Sequence, residues 1–127
     1  MMPVNKNRIL VVDDDPDILS LIGYVFESSG YKIDLVSNGI DALRFLKSQP
    51  DLPAFILLDV MMPLMSGDDF IHEIEKDPAL AGVVIVVMSA SGEDVVRKKG
   101  IGERKFIEKP VSLDTLIDVA RQYCATP

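Results

Sequence analysis

Three short, unbroken apolar runs constrain the fold of this chain more than anything else in it. They are Ile9-Leu10-Val11-Val12, Ala54-Phe55-Ile56-Leu57-Leu58 and Val83-Val84-Ile85-Val86-Val87-Met88. A strand that is apolar on both faces must be covered on both, which is the setting of a parallel sheet flanked by helices. Lys32-Ile33-Asp34-Leu35-Val36 alternates instead and reads as an edge strand. Arg104-Lys105-Phe106-Ile107-Glu108 is short and polar-flanked and reads as the opposite edge.

Helical stripes separate these runs. Ile18, Leu21, Ile22, Val25 and Phe26 recur at spacings of three and four, so they share one helix face. Asp15 before Pro16 supplies an N-cap followed by proline at the first helical position, and Gly30 suits a left-handed stop. Ala42, Leu43 and Leu46 form a second stripe. Phe70, Ile71 and Ile74 form a third, begun after Ser66-Gly67 and ended by Asp77-Pro78. Leu113, Leu116, Ile117 and Ala120 form a last one behind the cap Ser112. Strand and helix alternate five times through short connections, which predicts an α/β fold: a parallel sheet with helices on both faces. One domain is expected over residues 1–127, with its core at about 8–123 and a short tail after Tyr123.

Composition narrows the functions open to such a fold. With 13 basic and 20 acidic side chains the net charge is −7, which disfavours nucleic acid and anionic membranes as partners. No apolar run is long enough to span a bilayer, and the first eight residues lack the apolar stretch of a signal peptide. The single cysteine, Cys124, has no partner for an internal disulfide, so a cytoplasmic location is expected and the thiol is read as inert.

Ligands of open α/β sheets bind outside the carboxyl ends of the strands. Here those ends are Asp13-Asp14-Asp15, Asp59, Ser89-Ala90 and Lys109-Pro110. Clustered carboxylates raise one another's pKa unless a cation intervenes, and a hard, oxygen-seeking ion such as Mg²⁺ fits them. Asp59 then reads as a carboxylate nucleophile toward phosphorus, with Lys109 neutralising phosphoryl charge and Ser89 donating a hydrogen bond. Met61 and Ser91 flank this rim and are expected to tune water access.

The runs VVDDD (Val11 to Asp15), LLDVMMPLMSG (Leu57 to Gly67), MSA (Met88 to Ala90) and EKP (Glu108 to Pro110) resemble the receiver domains of two-component response regulators. The resemblance covers Arg8 to Tyr123 and rests on four motifs in the right order. It implies the flavodoxin-like receiver fold, a five-stranded parallel sheet in the order 2-1-3-4-5. It implies a phosphoacceptor signalling switch that catalyses only its own phosphorylation and dephosphorylation. Asp59 matches the phosphoacceptor; Asp13, Asp14, Asp59 and the backbone carbonyl of Met61 match the Mg²⁺ ligands. Ser89 and Lys109 match the groups that hold the phosphoryl oxygens, and Asp15 matches no metal role. Phe106 stands at the aromatic switch position, where the family more often has tyrosine, and Lys109-Pro110 is expected to be cis. The implied donor is a histidine kinase or a histidine phosphotransfer protein, and the output goes to another protein.

The stretch from Ser89 to Lys109 is short for that family. Its shortage falls in the fourth helix, a brief segment around Val95-Val96 between Gly92 and Gly100-Ile101-Gly102. Helices this short are marginal alone, so a reduced fourth helix is expected. Residues 97–109 are also basic on an acidic chain, since Arg97, Lys98, Lys99, Arg104, Lys105 and Lys109 face only Glu103 and Glu108. A solvated face explains such a run, and an acidic downstream partner is the sharper reading.

Other chemistries fit less well. Asp13, Asp15 and Asp17 alternate as in a calcium loop, but Ile18 and Tyr24 occupy the required glycine and glutamate positions. Gly100-Ile101-Gly102 lacks the third glycine of a dinucleotide fingerprint, and no P-loop is present. His72, next to Ile71, is read as a surface helix residue. An aspartyl phosphatase would need a second carboxylate where Met61 stands. A receiver fold used only for docking, without phosphorylation, is the remaining alternative.

Overall fold

A computed structural model describes residues 2–62 and 64–125. The elements are β1 (Val4–Val12), α1 (Pro16–Ser28), β2 (Lys32–Val36), α2 (Gly39–Ser48), β3 (Leu52–Asp59), α3 (Gly67–Lys76), β4 (Ile85–Ser89), α4 (Glu93–Arg97), β5 (Phe106–Glu108) and α5 (Leu113–Tyr123). The strands pair in parallel in the order β2-β1-β3-β4-β5, so the two expected edge strands are edges and the three apolar runs are central.

Successive side chains of a strand leave on opposite faces, and this divides the core in two. Leu10, Val12, Ile56, Leu58, Ile85 and Val87 meet α2, α3 and α4 on one face. Ile9, Val11, Leu57, Val86 and Met88 meet α1 and α5 on the other. Every residue of β3 is buried, as its position at the centre of the sheet requires.

Side-chain caps start four of the helices. Asp15 accepts from the amides of Asp17 and Ile18, Asn38 from Asp41, Ser66 from Asp69 and Ser112 from Thr115. Each satisfies an amide that the first helical turn leaves without a partner. Gly30, with φ 95°, turns the chain out of α1, as its left-handed freedom allows. α4 has five residues, follows Gly92 at its N-cap position and has no side-chain cap.

Strand limits differ from the sequence reading for local reasons. β1 starts at Val4 rather than Ile9, because the polar stretch before Ile9 pairs with Leu52 and Pro53 across a register shift. β4 starts at Ile85, since the Val83 amide is used in a turn to the Leu80 carbonyl at 3.0 Å. β5 excludes Arg104 and Lys105, although the Lys105 carbonyl still accepts from Val87 at 2.8 Å. The tail is not loose up to Ala125, whose amide donates to the Lys6 carbonyl at 2.8 Å.

Candidate functional site

Parallel strands end on the same rim, and the order of this sheet decides what meets there. β1 runs into Asp13 and Asp14, β3 ends at Asp59, β4 ends at Ser89 and β5 runs into Lys109. β1 and β3 are neighbours, so their carboxylates converge: Asp13, Asp14 and Asp59 each bring an oxygen within 4.8 Å of the others. Asp13 and Asp59 are buried and Asp14 is exposed.

The two buried carboxylates are held by different groups. Asp13 Oδ1 accepts from the Asp15 amide at 2.9 Å, and Asp59 Oδ1 accepts from the Met61 amide at 3.0 Å. Lys109 reaches over from β5 and donates from Nζ to Asp13 Oδ2 at 2.7 Å and to Asp59 Oδ2 at 3.2 Å. Its backbone amide donates a hydrogen bond to the Ser89 carbonyl at 2.8 Å, and a cis bond to Pro110 follows. Burial is the main reason the Asp59 carboxyl is pushed up to about 6; the charge of Asp13 adds to this, while the Met61 amide and Lys109 act against it. Burial alone would lower the Lys109 ammonium, but the hydrogen bond to Asp13 and the charges of both carboxylates outweigh it and hold the group above its ordinary value.

Two buried carboxylates beside one ammonium leave room for further positive charge. The three carboxylates offer only oxygen, the donor type of a hard divalent cation, and Asp14 faces solvent where a partly hydrated ion would enter.

The remaining rim residues are placed less closely. Ser89 is buried, and its Oγ accepts from the Ser91 amide at 3.0 Å. The Met61 side chain is exposed, and Ser91 is half-buried. Phe106 is half-buried against the α2–α4 core and pairs in register with Val87, so it lies below the rim. Asp15 caps α1. His72 is exposed on α3. Cys124 is a free, half-buried thiol that burial pushes up to about 11, so it stays protonated at neutral pH. No described helix is long and apolar enough to cross a membrane.

Two supports of the site were not foreseen. One is the Met61 amide, which orients Asp59 through a tight turn that the sequence does not display. The other is Gly67, where a Cβ would stand 2.5 Å from Val60 Cα, so only glycine lets α3 start against the end of β3. The Ser-Gly pair marked a helix start but gave no sign of this close approach.

Comparison with known proteins agrees with the geometry. Residues 9–121 match the response regulator receiver domain family. The response regulator Rre1 of Synechocystis is 32% identical over 120 residues, which are 92% of this chain and 51% of that protein, so the chain spans about half of its relative. The receiver domain of a signal transduction histidine kinase from Syntrophus aciditrophicus superposes with a TM-score of 0.81 at 29% identity, covering 92% of this chain and 89% of the other. The receiver domain of the sensor histidine kinase PA1611 from Pseudomonas aeruginosa has a TM-score of 0.78 at 26% identity, covering 92% and 96%; that structure holds a magnesium ion in its active-site cleft. On the motif order, the strand order and this family match, the chain belongs to the response regulator receiver domains.

Proposed function

We propose that this chain is the phosphoacceptor switch of a two-component phosphorelay and takes its phosphoryl group on Asp59. The observation that carries this reading is the setting of Asp59: a buried carboxylate at the tip of the central strand, beside Lys109 and the carboxylates of Asp13 and Asp14. Asp13, Asp14, Asp59 and the Met61 carbonyl would hold Mg²⁺. When bound, that ion screens the negative charge shared by the carboxylates and the incoming phosphoryl oxygens.

An oxygen of the Asp59 carboxylate forms a bond to phosphorus as the bond from phosphorus to the donor imidazole breaks, and the imidazole, already protonated on its other ring nitrogen in the donor, leaves as the neutral base. Lys109 exchanges its bond to Asp59 for one to a phosphoryl oxygen. Ser89 accepts from Ser91 through Oγ, so its hydroxyl proton is available to a second phosphoryl oxygen. Met61 and Ser91, on either side of the rim, govern how easily water reaches the aspartyl phosphate. The domain is therefore a catalyst of its own modification and hydrolysis only.

A cavity of about 130 Å³ beside Lys109, lined by Ile18, Leu21, Pro110 and Val111 among others, suits the apolar side of a histidine kinase or phosphotransfer helix. Output follows when Ser89 moves toward phosphate and Phe106 turns into the space behind it, which shifts the population of the adjoining surface. That surface carries the exposed Lys98, Lys99 and Lys105, which suit an acidic protein partner. The cytoplasm, where such relays operate, is the compartment that fits a free thiol.

Incubation with acetyl phosphate, with and without Mg²⁺, followed by intact mass measurement tests the reading. A phosphoryl adduct that requires Mg²⁺ and is absent from Asp59→Ala is expected. No adduct on the wild-type chain would favour the docking module instead.

A further inference from the structure

The basic stretch after Ser89 divides by use. Lys98 and Lys99 are exposed, whereas Arg97 is turned back onto the protein. Its Nε donates to Glu93 Oε2 at 2.8 Å, and its Nη1 donates to the carbonyls of Gly102 at 2.6 Å and Arg104 at 3.1 Å. Arg104 in turn donates from Nη1 to the Ile101 carbonyl at 3.1 Å. One guanidinium therefore joins the start of α4, through Glu93, to the backbone just before β5.

Besides that polar join, Val96 of α4 and Ile101 of the connection are both buried in the core on the α2–α4 side of the sheet. α4 has five residues and no side-chain cap, and Val96 is its one buried residue. The connection to β5 passes through Gly100 and Gly102, both in the left-handed region at φ 90° and 66°. Ile101 anchors that segment by apolar burial, which fixes no direction, whereas a fork of fixed donors suits two carbonyls and a carboxylate at once, which a lysine reproduces only in part. The two ends of the join are also the two ends of the proposed signal. α4 follows the loop whose Ser91 amide binds Ser89 Oγ, and Arg104 precedes Lys105 and Phe106.

We propose that Arg97 is a positioning residue that makes α4 and the backbone leading into β5 one mechanical unit, so that displacement of the Ser89 loop reaches Phe106 through its guanidinium. The transmission rests on the phosphoacceptor reading of Asp59; the mechanical unit does not. A bare ion pair with Glu93 would tie α4 only to itself, and this is the alternative to exclude.

The test uses the whole chain and two measurements by NMR. In the unphosphorylated protein, amide exchange in Arg97→Gln is expected to rise at least tenfold both at Lys99 and Gly100, which bond within the α4 turn, and at Val87, which donates to the Lys105 carbonyl. Arg97→Lys should restore part of the protection, and Glu93→Gln should leave Val87 unchanged because both carbonyl bonds remain. Acceleration at Lys99 and Gly100 with Val87 unaffected would reduce Arg97 to a helix staple and overturn the proposal. After acetyl phosphate and Mg²⁺, the Arg97→Gln adduct should form as in the wild type, with the Phe106 amide shift cut by at least half. An undiminished Phe106 shift would also overturn it. If the wild-type chain takes no phosphoryl group, the function proposed above fails alone, and the exchange measurement still decides the mechanical unit.

Discussion

Lys109 donates to Asp13 at 2.7 Å across 96 residues of sequence, a shorter bond than the one it makes to Asp59. In the unmodified site the ammonium is thus mainly the counter-charge of a fully buried carboxylate. On the proposed reading, the longer bond to Asp59 is the one a phosphoryl oxygen replaces, while the bond to Asp13 keeps the ammonium at the rim.

Removing that ammonium leaves two buried carboxylates with no cation. Lys109→Gln is expected to lower stability by about 1–3 kcal/mol at pH 7.5 without divalent ions. The loss should shrink at pH 5, where Asp59 holds a proton. Urea unfolding at the two pH values checks this, and equal losses at both would contradict the assigned pairing.

The raised Asp59 carboxyl sets a pH dependence of unusual sign. Its value moves from an ordinary 3.8 to about 6 on folding, so between these the folded chain holds a proton that the unfolded chain releases. Its neutral form therefore favours the fold most below about pH 4, and this contribution fades as pH rises through 6. About 1–2 kcal/mol is expected after allowing for solvent screening. Asp59→Asn should abolish the dependence and stabilise the metal-free protein at pH 7, as thermal melts across pH 4 to 8 would reveal.

Divalent cation should act in the opposite direction at neutral pH. An ion bound only by the folded chain raises Tm with its concentration by mass action. Mg²⁺ at a hundred times its Kd corresponds to about 2.7 kcal/mol. Asp14→Asn is expected to weaken the effect and Asp59→Asn to remove most of it. An unchanged Mg²⁺-dependent Tm in both variants would place the ion elsewhere.

Small donors and protein donors should separate at α1. Leu21 is 60% exposed and lines the cavity beside Lys109, whose lining includes none of the three carboxylates. Leu21→Asp is expected to slow phosphotransfer from a kinase or phosphotransfer protein about tenfold or more, by a desolvation and packing penalty at the docking face. Its reaction with acetyl phosphate should stay at the wild-type rate. Equal slowing with both donors would move Leu21 from docking to the site itself.

At the far end of the sheet, Arg8 donates to Asp34 at 2.6 Å and to Asp51 at 3.5 Å and lies 5.4 Å above the Phe45 ring. It joins β1, β2, α2 and the start of β3 in one cluster. Arg8→Ala should cost about 1–3 kcal/mol while leaving Asp59 chemistry intact. Chemical denaturation and the adduct assay together check both halves of that statement.

Much of this arrangement was legible in the sequence because burial writes itself into composition. The central strands are continuous apolar runs, the edge β2 alternates, and Asp15, Ser66 and Ser112 announce helix starts. The candidate site was legible because strand ends are rims, so Asp13, Asp14, Asp59, Ser89 and Lys109 could be collected from the sequence alone. What stayed hidden depends on backbone geometry or on choice of partner. The first half of β1 is polar and is held by pairing alone, and the Met61 amide leaves no mark on side-chain identity. Charge content grouped Arg97 and Arg104 with Lys98 and Lys99, yet Arg97 donates to the carbonyls of Gly102 and Arg104, and Arg104 to that of Ile101. A count of charges cannot separate those uses, since both residue types look alike until a carbonyl is within reach.

The three-residue strand β5 has a consequence for how the chain is made. Synthesis delivers Asp13, Asp14 and Asp59 well before Lys109, which directly follows the edge strand β5. A nascent chain, or one clipped before β5, thus has its carboxylates without their ammonium and cannot complete the rim. On the proposed phosphoacceptor reading, such a chain has no ammonium to meet a phosphoryl oxygen and reacts with its donor more slowly than the chain that includes Lys109.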